Sequence, residues 1–231
     1  MGATRAGWGR SWHALTFAVA AGAVVLQFAL ILRGQQHLGD TTSGLEVAGR
    51  PDLGTRVVRF FSYLTIWGNL IGAIAAGWLV LRLRPDGRLW RALRLDAVVL
   101  LVVIGIVHFF FLRPLLHLHG ADLVADRLLH IVVPLLVLIG WLAFGPRNQI
   151  DRTDLLGFLV VPVAWLVYTL VRGAIVDWYP YPFIDVRAHG YAYVTGACVG
   201  VAVLLLVVAA LARYLDPRLA PSVAPVRSEP A

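Results

Sequence analysis

Apolar residues in this chain come in long unbroken runs, not at alternate positions or every third and fourth position. Six runs stand out, Trp12–Leu32, Phe60–Leu81, Leu95–Leu112, Leu123–Phe144, Leu155–Val171 and Tyr191–Leu211. A run of roughly 18 or more apolar residues reads as a membrane-crossing helix, because about 20 residues at 1.5 Å rise cover about 30 Å of hydrocarbon. The pattern predicts an all-α integral membrane protein, a bundle of six transmembrane helices over residues 1–215. Residues 216–231 are rich in Pro and Ser and read as a disordered cytoplasmic tail. Connections are short, apart from residues 33–59 and 172–190, and no internal repeat stands out.

The first run follows Arg5 and Arg10, as a signal peptide would. Its apolar stretch of about 20 residues exceeds the usual 7–15, and no small-residue cleavage pattern follows Leu32, so it reads as a retained helix.

Composition strengthens this picture. The 231 residues are 59% hydrophobic and 14% charged, with a mean hydropathy of +0.77. A soluble domain carries about 25% charged residues, so there is too little polar surface to coat a globule. The single cysteine, Cys198, lies inside an apolar run. Within one chain it can form neither a disulfide framework nor a cysteine metal site.

All basic residues are Arg, and the net charge is +7. The arginines cluster at the ends of the apolar runs, where they meet headgroups and set topology, so the charge does not read as a nucleic-acid surface. With six spans, twelve arginines fall on one side: Arg5, Arg10, Arg82, Arg84, Arg88, Arg91, Arg94, Arg147, Arg152, Arg213, Arg218 and Arg227. Eight fall on the other, among them Arg59, Arg113, Arg127 and Arg172. The imbalance predicts a multi-pass protein of the cell membrane with both termini cytoplasmic.

Strongly polar side chains inside a bilayer are costly and are functional hypotheses by default. Here they are Gln27, Thr65, Asn69, His108, His130, Tyr168 and, at a span end, Arg172. Thr65 lies six residues past Arg59, about 9 Å below that end at 1.5 Å per residue. His130 lies one turn past Asp126, and His108 and Tyr168 fall near the outer ends of their runs. Four helices thus bring polar groups to a similar depth.

Each has a structural alternative. Thr65 can bond its own i−4 carbonyl or tie two helices together, supported by the Gly68, Gly72, Ala76 ridge of small residues. Asp126 can pair with Arg127 or Arg113. His108 can be a core histidine bonded to Tyr168, and Asn69 and Gln27 can join helices. The functional alternative is a nucleophile, base and orienter set of Thr65, His130 and Asp126, the carboxylate at i−4 fixing the imidazole. Asn69, Tyr168 or backbone N–H groups would then stabilise the oxyanion, with His108 a further orienting candidate. The loop Asp177-Trp178-Tyr179-Pro180-Tyr181-Pro182-Phe183 reads as an interfacial aromatic belt or as a stiff cap over these groups.

Three pieces, Phe61-Ser62-Tyr63-Leu64-Thr65-Ile66-Trp67-Gly68-Asn69-Leu70, His130-Ile131-Val132-Val133-Pro134 and Tyr179-Pro180-Tyr181-Pro182-Phe183, carry a family resemblance. In this order, the chain resembles the six-span androgen-induced membrane hydrolases, the family of androgen-dependent TFPI-regulating proteins, over about residues 10–215. The resemblance implies six spans and a membrane-embedded Thr and His that hydrolyse fatty acid esters of hydroxy fatty acids. By motif position Thr65 matches that Thr and His130 that His. The chain departs in its arginine content and its long first outer loop, and looks like a bacterial relative. The function expected is a lipid ester hydrolase that calls for no metal or cofactor and whose partners are membrane lipids or lipid esters. Two other readings stand beside it, a haem-binding electron carrier using His108 and His130, and a non-catalytic transporter or scaffold.

Overall fold

A computed structural model describes residues 2–34, 51–81 and 87–219 of the chain. Most of the first outer loop, the arginines at 82 and 84, and tail residues 220–231 lie outside the described residues. What is described is helical, with no strand.

The helices are α1 (Gly2–Leu32), α2 (Leu53–Phe61), α3 (Leu64–Val80), α4 (Arg88–Val107), α5 (Gly120–Arg127), α6 (Val133–Phe144), the single turn α7 (Asp154–Gly157), α8 (Val160–Val176) and α9 (Val186–Arg218). A π-helical turn, His108–Leu112, continues α4, and another, Leu128–Val132, joins α5 to α6. Five stretches are long and apolar enough to cross a bilayer: Gly7–Leu32, Arg88–Leu115, Gly120–Phe144, Asp154–Val176 and Val186–Arg218. On α8 and α9, Val160, Val167, Val199 and Val203 are exposed, which suits a surface facing hydrocarbon.

Two expectations need correction. The run Phe60–Leu81 is not one straight helix, because α2 and α3 meet at a 64° bend, and a sixth crossing exists only if the pair counts as one broken span. The bend has no Pro or Gly. It is held by polar side chains that satisfy the backbone groups it frees. Ser62 Oγ bonds the Val58 carbonyl at 2.8 Å and the Tyr168 hydroxyl at 3.0 Å. Trp165 Nε1 donates to the Ser62 carbonyl at 2.8 Å, and Trp67 Nε1 to the Phe61 carbonyl at 2.7 Å. Secondly, α9 continues to Arg218, so residues 216–218 are helix, and Asp216 is buried.

The small-residue ridge does bring helices together. A Cβ on Gly68 or Gly72 would lie 2.8 Å from the Ile104 or Leu101 side chain of α4. α4 also passes close to the π turn below His130, where a Cβ on Gly105 would sit 3.2 Å from the His130 carbonyl. Pro134, having no N–H, cannot bond that carbonyl, and the π turn sits where the ladder is interrupted.

Candidate active site

The bend before α3 places a helix N-terminus inside the protein. Thr65 is the second residue of α3, with 5% of its surface exposed. Its N–H belongs to the first turn and has no intrahelical acceptor; the Tyr181 hydroxyl lies 3.4 Å from it. The Thr65 hydroxyl is 3.3 Å from the same Tyr181 oxygen and 3.3 Å from His130 Nε2. Thr65 and His130 are thus side by side, on helices with 64 residues of chain between them.

His130 is oriented by Asp126, chiefly through the main chain. His130 Nδ1 lies 3.0 Å from the Asp126 carbonyl in good hydrogen-bond geometry. Asp126 Oδ1 is also 3.0 Å away, but off the N–H direction, and accepts no directed hydrogen bond. The carbonyl assigns the ring proton to Nδ1 and leaves the Nε2 lone pair facing Thr65. The expected carboxylate orienter is therefore the carbonyl of the same residue. Asp126 pairs with neither Arg113 nor Arg127. Its Oδ2 lies 3.3 Å from His108 Nε2.

His108 stacks face to face on His130, centroids 3.8 Å apart and planes 8° from parallel. This corrects its expected partner, since Tyr168 is across the bend on Ser62. The stacking also fits poorly with bis-His haem ligation, in which the macrocycle lies between the two rings. Tyr168 is 38% exposed and makes no contact with Thr65, so it is misplaced for an oxyanion. Asn69 Nδ2 is spent on two carbonyls, Thr65 at 2.8 Å and Leu129 at 3.3 Å. It ties α3 to the π turn below His130. Arg172 stacks on Trp178 at 5.3 Å, and Arg59 on the same indole at 4.9 Å.

The residue missed as a site member is Tyr181. Its loop is a cap: Trp178, Tyr179 and Tyr181 are buried, and a Cβ on Gly173 would overlap the Tyr179 ring. Tyr181 is held between Tyr63, Trp165 and Phe183, at centroid distances of 5.6, 5.8 and 5.3 Å. Burial pushes the Tyr181 phenol up, so it stays protonated and able to donate. Asp185 anchors the far end of the cap, accepting from the N–H groups of Arg187 and Ala188. The paired prolines were the signal for a cap; nothing in the sequence aimed Tyr181 at Thr65.

A cavity of about 40 Å³ opens beside these groups, lined by Gln27, Tyr63, Thr65, Asp126, His130 and Tyr181 with Leu112, Leu118, Asp122 and Leu129. It has room for a water but not for an acyl chain. A lipid would need the cap or the segment around Leu118 to move.

Comparison with protein-family models, with curated proteins and with solved structures finds no match.

Proposed function

We propose that the chain is a multi-pass membrane hydrolase of lipid esters, with Thr65 as nucleophile and His130 as general base. The observation that carries this reading is the Thr65 hydroxyl, buried at a helix N-terminus and 3.3 Å from both His130 Nε2 and the Tyr181 hydroxyl. A hydroxyl becomes a nucleophile when a base within reach takes its proton, and the unprotonated His130 Nε2, 3.3 Å from the Thr65 hydroxyl, suits that role. As Thr65 Oγ1 attacks an acyl carbonyl, the alcohol leaves and takes the proton from the imidazolium. The Asp126 carboxylate, 3.0 Å from Nδ1, stabilises that imidazolium. Water activated by His130 then attacks the acyl-threonine, releasing the acid and restoring the hydroxyl.

The oxyanion donors we favour are the Thr65 N–H and the Tyr181 hydroxyl. Both stand beside the nucleophile, and the N-terminus of α3 adds its partial positive charge. The family resemblance around Thr65, His130 and Tyr181 supports the same assignment. In this reading α2 and α3 together form one broken span, giving six crossings with both termini cytoplasmic. Reporter fusions after Arg88 should then read cytoplasmic, and fusions within residues 40–50 external.

The decisive experiment is labelling of purified protein with a fluorophosphonate, whose phosphorus is attacked by an activated hydroxyl with loss of fluoride. Wild type should be labelled on Thr65 and Thr65→Ala should not. Equal labelling of the two would overturn the assignment.

A further inference from the structure

We propose that His108, Asp126 and His130 form a site for a divalent first-row transition metal of the zinc type, and that metal binding and the base role of His130 exclude one another. The exclusion rests on the hydrolase reading; the site does not.

The first support is an excess of unpaired polar atoms. His108 is 1% exposed, yet neither of its ring nitrogens makes a directed hydrogen bond. Asp126 is 7% exposed and its Oδ1 is likewise unpaired. Buried groups of this kind ordinarily have partners, and here a carboxylate and two imidazoles converge with donor atoms left over. The second support is the donor set. Two imidazoles and a carboxylate suit zinc and its neighbours, and one ligand atom from each lies within 4.8 Å of the others. A tetrahedral ion with ligands at about 2.0–2.1 Å holds them roughly 3.3 Å apart. His108 Nε2 and His130 Nδ1 are 3.3 and 3.0 Å from the Asp126 oxygens. The third is the backbone. Both histidines sit on π turns, which re-aim side chains and collect at functional sites. The Thr65–His130 contact gives no account of the π turn at His108.

The stacked rings cannot both point in-plane at one ion, so His108 turns about its side-chain bonds when the metal enters. His130 would bind through Nδ1, the nitrogen facing Asp126. Its single ring proton then moves to Nε2, which donates to Thr65 instead of accepting from it. The cavity at Asp126 and His130 leaves room for a water as fourth ligand.

The test uses the full chain in detergent or nanodiscs, titrated with Zn²⁺ by calorimetry and with Co²⁺ by its visible absorption. One ion per chain should bind. His108→Ala and Asp126→Asn should each weaken binding at least tenfold, while His117→Ala and His119→Ala should not. If His108→Ala unfolds, His108→Phe keeps a ring on His130 without a ligand atom. Thr65→Ala should bind zinc within twofold of wild type, so the site stands even if the hydrolase reading falls. Ester hydrolysis should fall over the same Zn²⁺ range and return with chelator. Equal affinity in wild type and the His108 and Asp126 variants would overturn the site. Activation by bound zinc, or hydrolysis indifferent to it, would overturn the exclusion.

Discussion

Arg94 and His108 lie along one helical stretch, fourteen residues or about 21 Å apart, and both are buried. Arg94 is well paired: Nη1 donates to Gln149 Oε1 at 2.8 Å and Nη2 to the Pro146 carbonyl at 2.6 Å. Around it, Arg91 Nε reaches both oxygens of Asp154, at 3.2 and 3.0 Å. Asp216 Oδ2 accepts from the N–H groups of Gln149 and Ile150. These bonds fasten α4, α7 and α9 to one loop. At the other end His108, Asp126 and Asn69 keep unpaired polar atoms, and the Thr65 hydroxyl makes only long contacts of 3.3 Å. Polar groups that hold a fold are satisfied within it. Groups that must exchange protons or bind a ligand keep capacity in reserve. The Arg94 end also holds unpaired atoms, Asp96 Oδ1 and Asp216 Oδ1, but its charged groups are joined to one another and to the loop backbone, so under the proposed function it carries stability and the Thr65 end carries the chemistry.

The largest test removes the dyad. Thr65→Ala and His130→Ala should each lower hydrolysis of a long-chain nitrophenyl ester by about 10³-fold or more, and the double variant should be little worse, because nucleophile and base act as a unit. Thr65→Ser keeps the hydroxyl and should retain some activity. Melting temperatures on the same preparations should change little. If Thr65 only joins helices, Thr65→Ala would cost about 1 kcal/mol of stability and leave turnover intact. That result in well-folded protein would end the hydrolase reading.

The opposite pattern is expected at the other end. Arg91→Ala removes the cation from the Asp154 carboxylate, which is 2% exposed and keeps the Asp151 N–H as a donor. Removing one partner of a fully buried pair costs about 3 kcal/mol, and with Arg91 25% exposed we expect roughly half of that. Thermal unfolding should shift clearly downward, while the folded fraction keeps full fluorophosphonate labelling of Thr65. Loss of labelling without loss of stability would break the division between the two ends.

How much of this was legible in the sequence follows from which forces are local. Apolar runs show where helices form, because hydrocarbon thickness imposes their length. Polar residues within runs mark depth, and matched depth pointed to Thr65 with His130. The bend at Ser62 was not legible, since its causes are Trp165 and Tyr168 on another helix, not a Pro or Gly in the run. His108 was placed at the right depth but given the wrong neighbour. Its partner depends on a π turn that the runs do not record. The second π turn had a local sign, Pro134 four residues past His130, and so in principle could be read. Tyr181 was hidden because an aromatic between prolines has the same composition in an exposed belt as in a buried cap.

A smaller effect than the dyad's is expected at Tyr181. Tyr181→Phe keeps the ring packed against Tyr63 and Trp165 and removes only the hydroxyl. Loss of one oxyanion donor typically costs about 10²–10³ in turnover, and we expect the lower figure, because the Thr65 N–H remains. Binding of a non-reactive lipid ether should be unaffected, since that ligand develops no oxyanion. A fall in ether binding equal to the fall in turnover would make Tyr181 a packing residue only.

The smallest effect is expected at Tyr168, and it is informative because the sequence made it an oxyanion candidate. Its hydroxyl bonds Ser62 Oγ at 3.0 Å, while the partners of the Thr65 hydroxyl are His130 and Tyr181. Ser62 Oγ keeps a second partner, the Val58 carbonyl, and the Ser62 carbonyl keeps Trp165. Tyr168→Phe therefore removes one half-exposed hydrogen bond from a bend that has three other ties. The stability cost should be about 0.5–1 kcal/mol. Turnover should stay within about threefold, because a bend that holds its angle keeps Thr65 at the start of α3. Trp165→Phe probes the same bend harder, since it frees a buried carbonyl. If Tyr168→Phe lowers turnover as much as Tyr181→Phe, the bend moves in the reaction and both hydroxyls belong to the site. If it changes neither turnover nor melting temperature, the ties through Ser62, Trp165 and Trp67 suffice to fix the position of Thr65.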